Sequence, residues 1–421
     1  MRGKQKGQPV KCRGIITIIL VMCVVVVVQA QTPLAATPTP EPGPLTLVVW
    51  LPDTLASADQ PLARAEINRQ VQVFNASQSS IVVEVRLKMV NDVGGIMSAL
   101  RAASSVAPGA LPDLTLLRRQ DLVVAQRDGL VRSLEGRLPP ALISSLDAVF
   151  KLGQVNNQWV GLPYLLELEH MVYRPNAAVE EISGWSFADM LDRQIPFVFP
   201  AGRSSGISDV VFLQYLAAGG SLSADNTLTY NAEALETTLL FYESAREAGV
   251  LDDRLVNYTS VSDYRVDFES EQVNAAVFFS SDYLQLLEDN RTLEAAPIPT
   301  TTGQDIALLN GWMWVLVSSQ SDQQDAAIQF MTFLMQPDNQ SAYARTLNLL
   351  PSQRAVLIES LPRIVDQTVY LSLLDHAVLP LAESEGGPLA SSLQEAVEGI
   401  LSGERTAIDA LLSLQAQHQQ P

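Results

Sequence analysis

The chain has 421 residues, 47% apolar and 17% charged, with a formal net charge of −19. That length exceeds one ordinary core and predicts two domains, and the apolar share argues against a disordered chain. The negative balance repels nucleic acid and anionic lipid surfaces, so neither is an expected partner.

The first 30 residues read as a targeting segment. Arg2, Lys4, Lys6, Lys11 and Arg13 precede an apolar run from Ile15 to Val28, broken only by Thr17. Val28-Gln29-Ala30 fits a small-residue cleavage site, giving a mature start at Gln31. The run is short for a bilayer span, which needs ~20 residues; a retained N-terminal anchor is the alternative. Both cysteines, Cys12 and Cys23, fall in this segment, so a mature chain has no disulfide, thiolate metal site or cysteine nucleophile. Leu20-Val21-Met22-Cys23 is a poor lipidation site, with Met22 in place of a small residue and valines following. Cleavage removes the five basic residues and leaves the charge near −24. Residues 31–44 hold five prolines among small residues and read as a linker, either extended or disordered.

Folded structure is expected from Leu45. Leu45–Trp50 is a buried strand, Arg64–Asn75 a helix through Ile67, Val71 and Phe74, and Ile81–Leu87 an alternating strand. Ile96–Ser105 is a helix, Pro112–Leu117 a strand and Gln120–Arg127 a helix. This alternation predicts a mainly parallel sheet covered on both faces. A second α/β region comes next: a crossing strand Leu168–Tyr173, a short helix Trp185–Leu191, a strand Phe197–Phe199, helices Asp209–Ala218 and Ala232–Ala248, and a strand Ala275–Phe279. Gly311-Trp312 opens another apolar strand, a helix covers Gln324–Gln336, and Pro337-Asp338-Asn339 stops it. Leu389–Gln415 reads as two helices.

No P-loop, His-Glu-x-x-His or dinucleotide fingerprint is present. Glu167, Glu169 and His170 look like a metal or acid/base cluster, but strand parity puts the two carboxylates on one face and the imidazole on the other, which argues against a metal site. No cofactor is implied.

Several segments occur in a telling order. They are Leu47-Val-Val-Trp50, Leu111-Pro-Asp-Leu-Thr-Leu116, Arg127-Asp-Gly-Leu-Val-Arg-Ser-Leu134, Asn156-Asn-Gln-Trp-Val-Gly-Leu-Pro-Tyr164, Gly184-Trp185-Ser-Phe-Ala-Asp189, Ala218-Gly-Gly-Ser-Leu222, Asp267-Phe-Glu-Ser-Glu-Gln272, Pro297-Ile-Pro299, Leu309-Asn-Gly-Trp-Met-Trp314 and Leu347-Asn-Leu-Leu-Pro351. From Leu45 to Gln415 this series resembles the maltose-binding-protein-like, family 1 extracellular solute-binding proteins of bacterial ABC importers. Three departures stand out: Arg174 after Tyr173 where Asn is usual, Glu271 where glycine is common, and Gly386-Gly387-Pro388 where an aromatic platform often sits.

The resemblance implies an α/β, two-lobed fold of the periplasmic-binding-protein type II kind, with a hinge and an interlobe cleft. Lobe one would hold residues 45–156 and 299–342, and lobe two residues 157–298 and 345–415. It implies an extracytoplasmic monomer that captures a sugar or oligosaccharide and delivers it to ABC permease subunits, with no catalysis. The alternatives are a non-sugar solute (polyamine, small anion or oligopeptide), or a surface enzyme or adhesion module on the same fold.

A sugar site needs aromatic faces and planar polar groups on loops around the cleft. By family position and strand ends, the candidates are Asp53, Tyr164, Arg203 with Ser204 and Ser205, Asp282, Gly311 and Trp312. Three have a structural counter-reading: a turn or helix cap for Asp53, core for Trp312 and a solvated loop for Arg203. Of Trp312 and Trp314, one is expected to be structural. Asp113 reads as structural at the start of its strand.

Overall fold

The computed structural model describes residues 43–90, 94–175, 184–203, 206–288, 292–381 and 386–418. The leader, its two cysteines, all but the last two linker residues, and the Ser204–Ser205 pair lie outside the described residues. The strands and helices belong to the unit Pro44–Pro421.

The strands, in chain order, are β1 (Leu45–Pro52), β2 (Ile81–Lys88), β3 (Leu114–Arg118), a small hairpin of β4 (Gln154–Val155) and β5 (Gln158–Trp159), β6 (Leu162–Tyr173), a second hairpin of β7 (Ser221–Leu222) and β8 (Leu228–Thr229), β9 (Ala275–Phe279), β10 (Glu294–Ala296), β11 (Ala307–Leu316), β12 (Leu350–Pro351) and β13 (Ala377–Val378). Nine of them form one sheet in the order β10-β6-β11-β3-β1-β2, with β9 and β12 also on β6 and β13 on β11. β1 pairs in parallel with β2 and β3, whereas β11 runs antiparallel to both β3 and β6. The sheet is therefore mixed rather than mainly parallel. Periodicity finds strands, but the direction of each pairing is a non-local choice.

β6 and β11 are the longest strands at 12 and 10 residues, and both are buried nearly throughout. Their register shifts between Trp312 and Met313, where Trp312 faces Leu165 and Met313 faces Pro163. Pro163 has no amide to donate, so an irregularity at this point has its cause in the sequence. Beyond the shift, β6 continues to Tyr173 and pairs there with β9 and β10. β6 and β11 thus link the sheet region built on β1–β3 to the region built on β9 and β10. β12 joins them, with Leu350 beside Leu166.

Other departures have local causes. Phe197–Phe199 is not a strand; only Val198 pairs, with Ala276. Gly311-Trp312 lies inside β11 rather than opening it. Pro337 separates two helices, Ser321–Leu334 and Pro337–Arg345, and begins the second. It occupies the first helical turn, where its missing N–H costs nothing. A second proline start, at Pro61, lets the first long helix run Pro61–Ser77.

Candidate functional site

Charged residues in the middle of apolar strands cost free energy unless something uses or pairs them. β6 carries two, Glu167 and Glu169, on one side, while His170 faces the other. His170 contacts Tyr370, its Nε2 lying 3.0 Å from the hydroxyl, and Tyr283 packs edge-on against the ring. Burial lowers this imidazole to about 4, so it is neutral at ordinary pH.

Glu167 stands opposite Asn310 of β11. Ser281 Oγ donates to its Oε1 at 2.6 Å. Burial pushes this carboxyl up, the Ser281 bond and Arg118 pull it down, and Asp282 pushes it up again. Arg118, at the end of β3, pairs with Trp312 in register and lays its guanidinium 4.7 Å from the centre of the indole. Such a contact is worth ~0.5–2 kcal/mol, more when desolvated. Asp282 lies in the first turn of the helix Ser280–Glu288 and accepts from Arg265 Nη1 at 2.6 Å. Burial raises its carboxyl, against the pull of Arg265. Arg265 also holds Glu269 and Gln285, at 2.8 and 2.9 Å. Trp312 under Arg118, Glu167 on Ser281, and Asp282 on Arg265 thus line one side of the sheet from β3 and β11, across β6, to the helix after β9; Arg118 and Glu167 meet there by charge, with no hydrogen bond between them among the described residues.

Farther along the same side of β6, Glu169 is 4% exposed. Its carboxyl is pushed well up by burial and then by Asp209, and Arg203 opposes the shift. Arg203 Nη2 donates to Asp209 at 2.9 Å. The loop bearing Arg203 is strapped to the helix Gly387–Leu401: Arg203 N donates to Glu398, and Gln394 bridges Ala201 O, Ser208 N and Glu398.

The sequence candidates divide accordingly. Asp282, Trp312 and Arg203 lie on this side of β6, in two neighbouring clusters. Asp53 is the first residue of a short 3-10 turn after β1, its carbonyl accepting from Ala56 N. Tyr164 is fully buried: its ring lies 5.5 Å from Trp314 and stacks at 6.0 Å on Tyr343, and its hydroxyl has no hydrogen-bond partner among the described residues. This is a packing position, and no face of the ring is offered to a solute. Trp314 belongs to the same aromatic cluster and is fully buried. Trp312 is also enclosed, at 2% exposure, beneath Arg118.

Gly311, a candidate by family position, has a packing reason. A Cβ there would meet Leu165 O at 2.3 Å, so the glycine admits the backbone of β6, not a ligand. Gly386 and Gly387 have φ of 87° and 66°, and a Cβ on Gly387 would press on Thr227 at 3.1 Å. The start of that helix is shaped by packing against the β7–β8 hairpin, which leaves no room for an aromatic residue at Gly387. Asp113 is structural, accepting from Val48 N at 2.8 Å.

Sequence reasoning misses Arg118, Asp209 and Ser281, and takes the Glu167–Glu169 pair only as a metal or acid cluster. The usable signal is that pair itself, two like charges at strand spacing inside twelve mostly apolar residues. Further along the helix Ser280–Glu288 lies an apolar pocket of about 350 Å³, lined among others by Leu284, Leu350, Leu357 and Ile364. Glu288, Arg345, Asn348 and Ser360 also line it, so its mainly apolar wall carries some polar groups.

The family of bacterial extracellular solute-binding proteins matches residues 70–360. No curated protein sequence matches significantly. Solved structures similar to this chain include the cyclic α-maltosyl-1,6-maltose binding protein of Arthrobacter globiformis, 18% identical, TM-score 0.70, covering 89% of this chain and 98% of that one. The GacH receptor of Streptomyces glaucescens, studied with acarbose, is 16% identical, TM-score 0.63, covering 89% and 98%. The sugar-binding protein MalE of Xanthomonas citri is 15% identical, TM-score 0.66, covering 88% and 96%. At these identities the likeness is one of fold.

Proposed function

Because the chain belongs to the bacterial extracellular solute-binding proteins and has the two-lobed α/β fold of periplasmic sugar-binding proteins, we propose that it captures a sugar or oligosaccharide between its lobes for an ABC permease. The family and its structural neighbours are binding proteins rather than enzymes. The lobes are taken as residues 45–156 with 299–342 and residues 157–298 with 345–415, joined by β6, β11 and the chain around β12. Among the described residues no helix is long and apolar enough to cross a membrane.

One observation carries the reading: the ordered polar line Arg118–Glu167–Ser281–Asp282–Arg265 beside the indole of Trp312. Planar carboxylates and guanidiniums match vicinal hydroxyls, and the enclosed indole of Trp312 orients the Arg118 guanidinium above it. The groups come from elements on both sides of β6, so hinge closure would assemble them and opening would separate them. The solute then gains by binding the closed state better than the open one. Asp53 and the Arg203 loop complete the proposed rim, while Tyr164 and Gly311 support the hinge from within.

A thermal-shift series with maltose, maltotetraose, spermidine and amino acids tests this. A cognate sugar at 100 times its dissociation constant adds ~2.7 kcal/mol of stability. The shift should vanish in Glu167→Gln. Stabilisation by amino acids alone, or a sugar shift that persists in Glu167→Gln, would overturn the reading.

A further inference from the structure

The carboxylates on this side of β6 outnumber the guanidiniums, and the most deeply buried of them is Glu169. Asp209 is bonded to the Arg203 guanidinium, whereas Glu169 feels that guanidinium's charge without a bond to it among the described residues. Two more, Glu167 and Asp282, sit with Arg118 and Arg265. That makes four carboxylates against three guanidiniums, before the partly exposed Glu269 on Arg265 is added. The surplus falls on Glu169. Its Oε2 is buried and meets no donor among the described residues, although the residue is only 4% exposed.

Rearrangement does not repair this. Arg203 spends Nη2 on Asp209, and its Nε is buried without an acceptor among the described residues. Its backbone is held by Glu398, whose Oε1 also takes Gln394. Asp209 is fixed at the start of the nine-residue helix Asp209–Ala217. Left without a cation, the buried Glu169 carboxyl is driven toward its protonated form; a hydroxyl donor supplies a hydrogen bond but no charge, and so restores the carboxylate only in part. A protonated amine supplies both, as a charge-assisted bond.

Resting on the sugar-receptor reading above, we propose that the captured solute is an amino sugar, with its ammonium group seated on Glu169 beside the Arg203–Asp209 pair. Glu167 lies one strand repeat away, ~7 Å along β6, a spacing that places ring hydroxyls on Glu167 while the amine occupies Glu169. Trp312 then lies on the hydroxyl side, under Arg118.

The test is calorimetric titration of the full mature chain with three probes: the β-1,4-linked glucosamine disaccharide, its N-acetylated counterpart and spermidine. The free-amine disaccharide should bind at least about tenfold more tightly than the acetylated one, a gap of about 1.4 kcal/mol. Glu169→Gln should bring the two sugars to within about threefold of each other. Asp209→Asn should do the same without touching Glu169, because it frees Arg203 to neutralise that carboxylate; circular dichroism checks that each variant is folded. Equal binding of both disaccharides by the wild type overturns the proposal and leaves the sugar-receptor reading standing. An amine preference that survives in both folded variants also overturns it. Binding of spermidine with neither sugar overturns the sugar reading and this proposal together.

Discussion

Trp312→Ala separates packing from recognition at the residue where they are most entangled. The indole is 2% exposed, faces Leu165 on β6 and lies under the guanidinium of Arg118 at 4.7 Å. A buried tryptophan covers roughly 150–250 Å², and at ~25 cal/mol per Å² its removal forfeits about 4–6 kcal/mol of transfer free energy as an upper bound. Measured truncations of large aromatic residues cost ~3–5 kcal/mol, and the lost cation–π contact adds ~1 kcal/mol. A loss near ~4 kcal/mol is therefore expected from urea denaturation of the unliganded protein. Trp312→Phe keeps the stack under Arg118 and should recover more than half of it. In the same preparations, solute affinity of Trp312→Phe should stay within about threefold of wild type if the ring acts by positioning Arg118. A Trp312→Ala protein with the wild-type urea midpoint would refute the reasoning, because a ring so enclosed cannot be removed without cost.

Three further outcomes rest on the same geometry. Tyr164→Phe removes a buried hydroxyl that has no partner among the described residues, so it should stabilise by about 1 kcal/mol and leave affinity unchanged; weakened solute binding would return Tyr164 to the site. Gly311→Ala forces a Cβ to 2.3 Å from Leu165 O and should destabilise by about 3 kcal/mol, readable as an early melting transition; wild-type melting would contradict the close approach of β6. His170 falls to about 4 in the folded chain from an ordinary 6.5, so the unfolded chain takes up a proton first as the pH drops. Its contribution is intact above pH 6.5 and is lost by about pH 4, amounting to about 3 kcal/mol at ~1.36 per unit. Urea titrations across that range should show the loss, and His170→Gln should flatten it; an equal slope in the variant would count against the assignment.

Local chemistry makes much of the framework readable. Leu45–Pro52 and Ile81–Lys88 alternate or run apolar as strands should, and Ala275–Phe279 ends where its sequence turns polar. What local pattern does not supply is partner choice. β11 sits between β3 and β6 and reverses the sheet direction, through pairings such as Trp312 with Arg118 and Leu165, far apart in the chain. Tyr164 illustrates the same limit at the site. Its position after Gly161-Leu162-Pro163 suggests a loop, but Tyr343 and Trp314 close over it from distant segments. Gly311 stands where the backbone of β6 comes close, a contact that its neighbours in sequence do not reveal. Arg118 is hidden because Arg118-Arg119 precedes a helix and reads as ordinary surface charge; only pairing with Trp312 gives it a role. Asp282 is marked by its position at a strand end, and its bond to Arg265 becomes visible only in the fold.

Hydrogen exchange of the protein, with and without a saturating amount of the solute found by thermal shift, tests the central claim most directly. Capture between lobes predicts slowed exchange in three separate stretches: residues 165–169 of β6, 308–312 of β11 and 280–285 of the helix after β9. Residues 354–364, which line the apolar pocket, should exchange as before. Protection confined to 354–364, with β6 and β11 unchanged, would place the solute in that pocket and contradict the account.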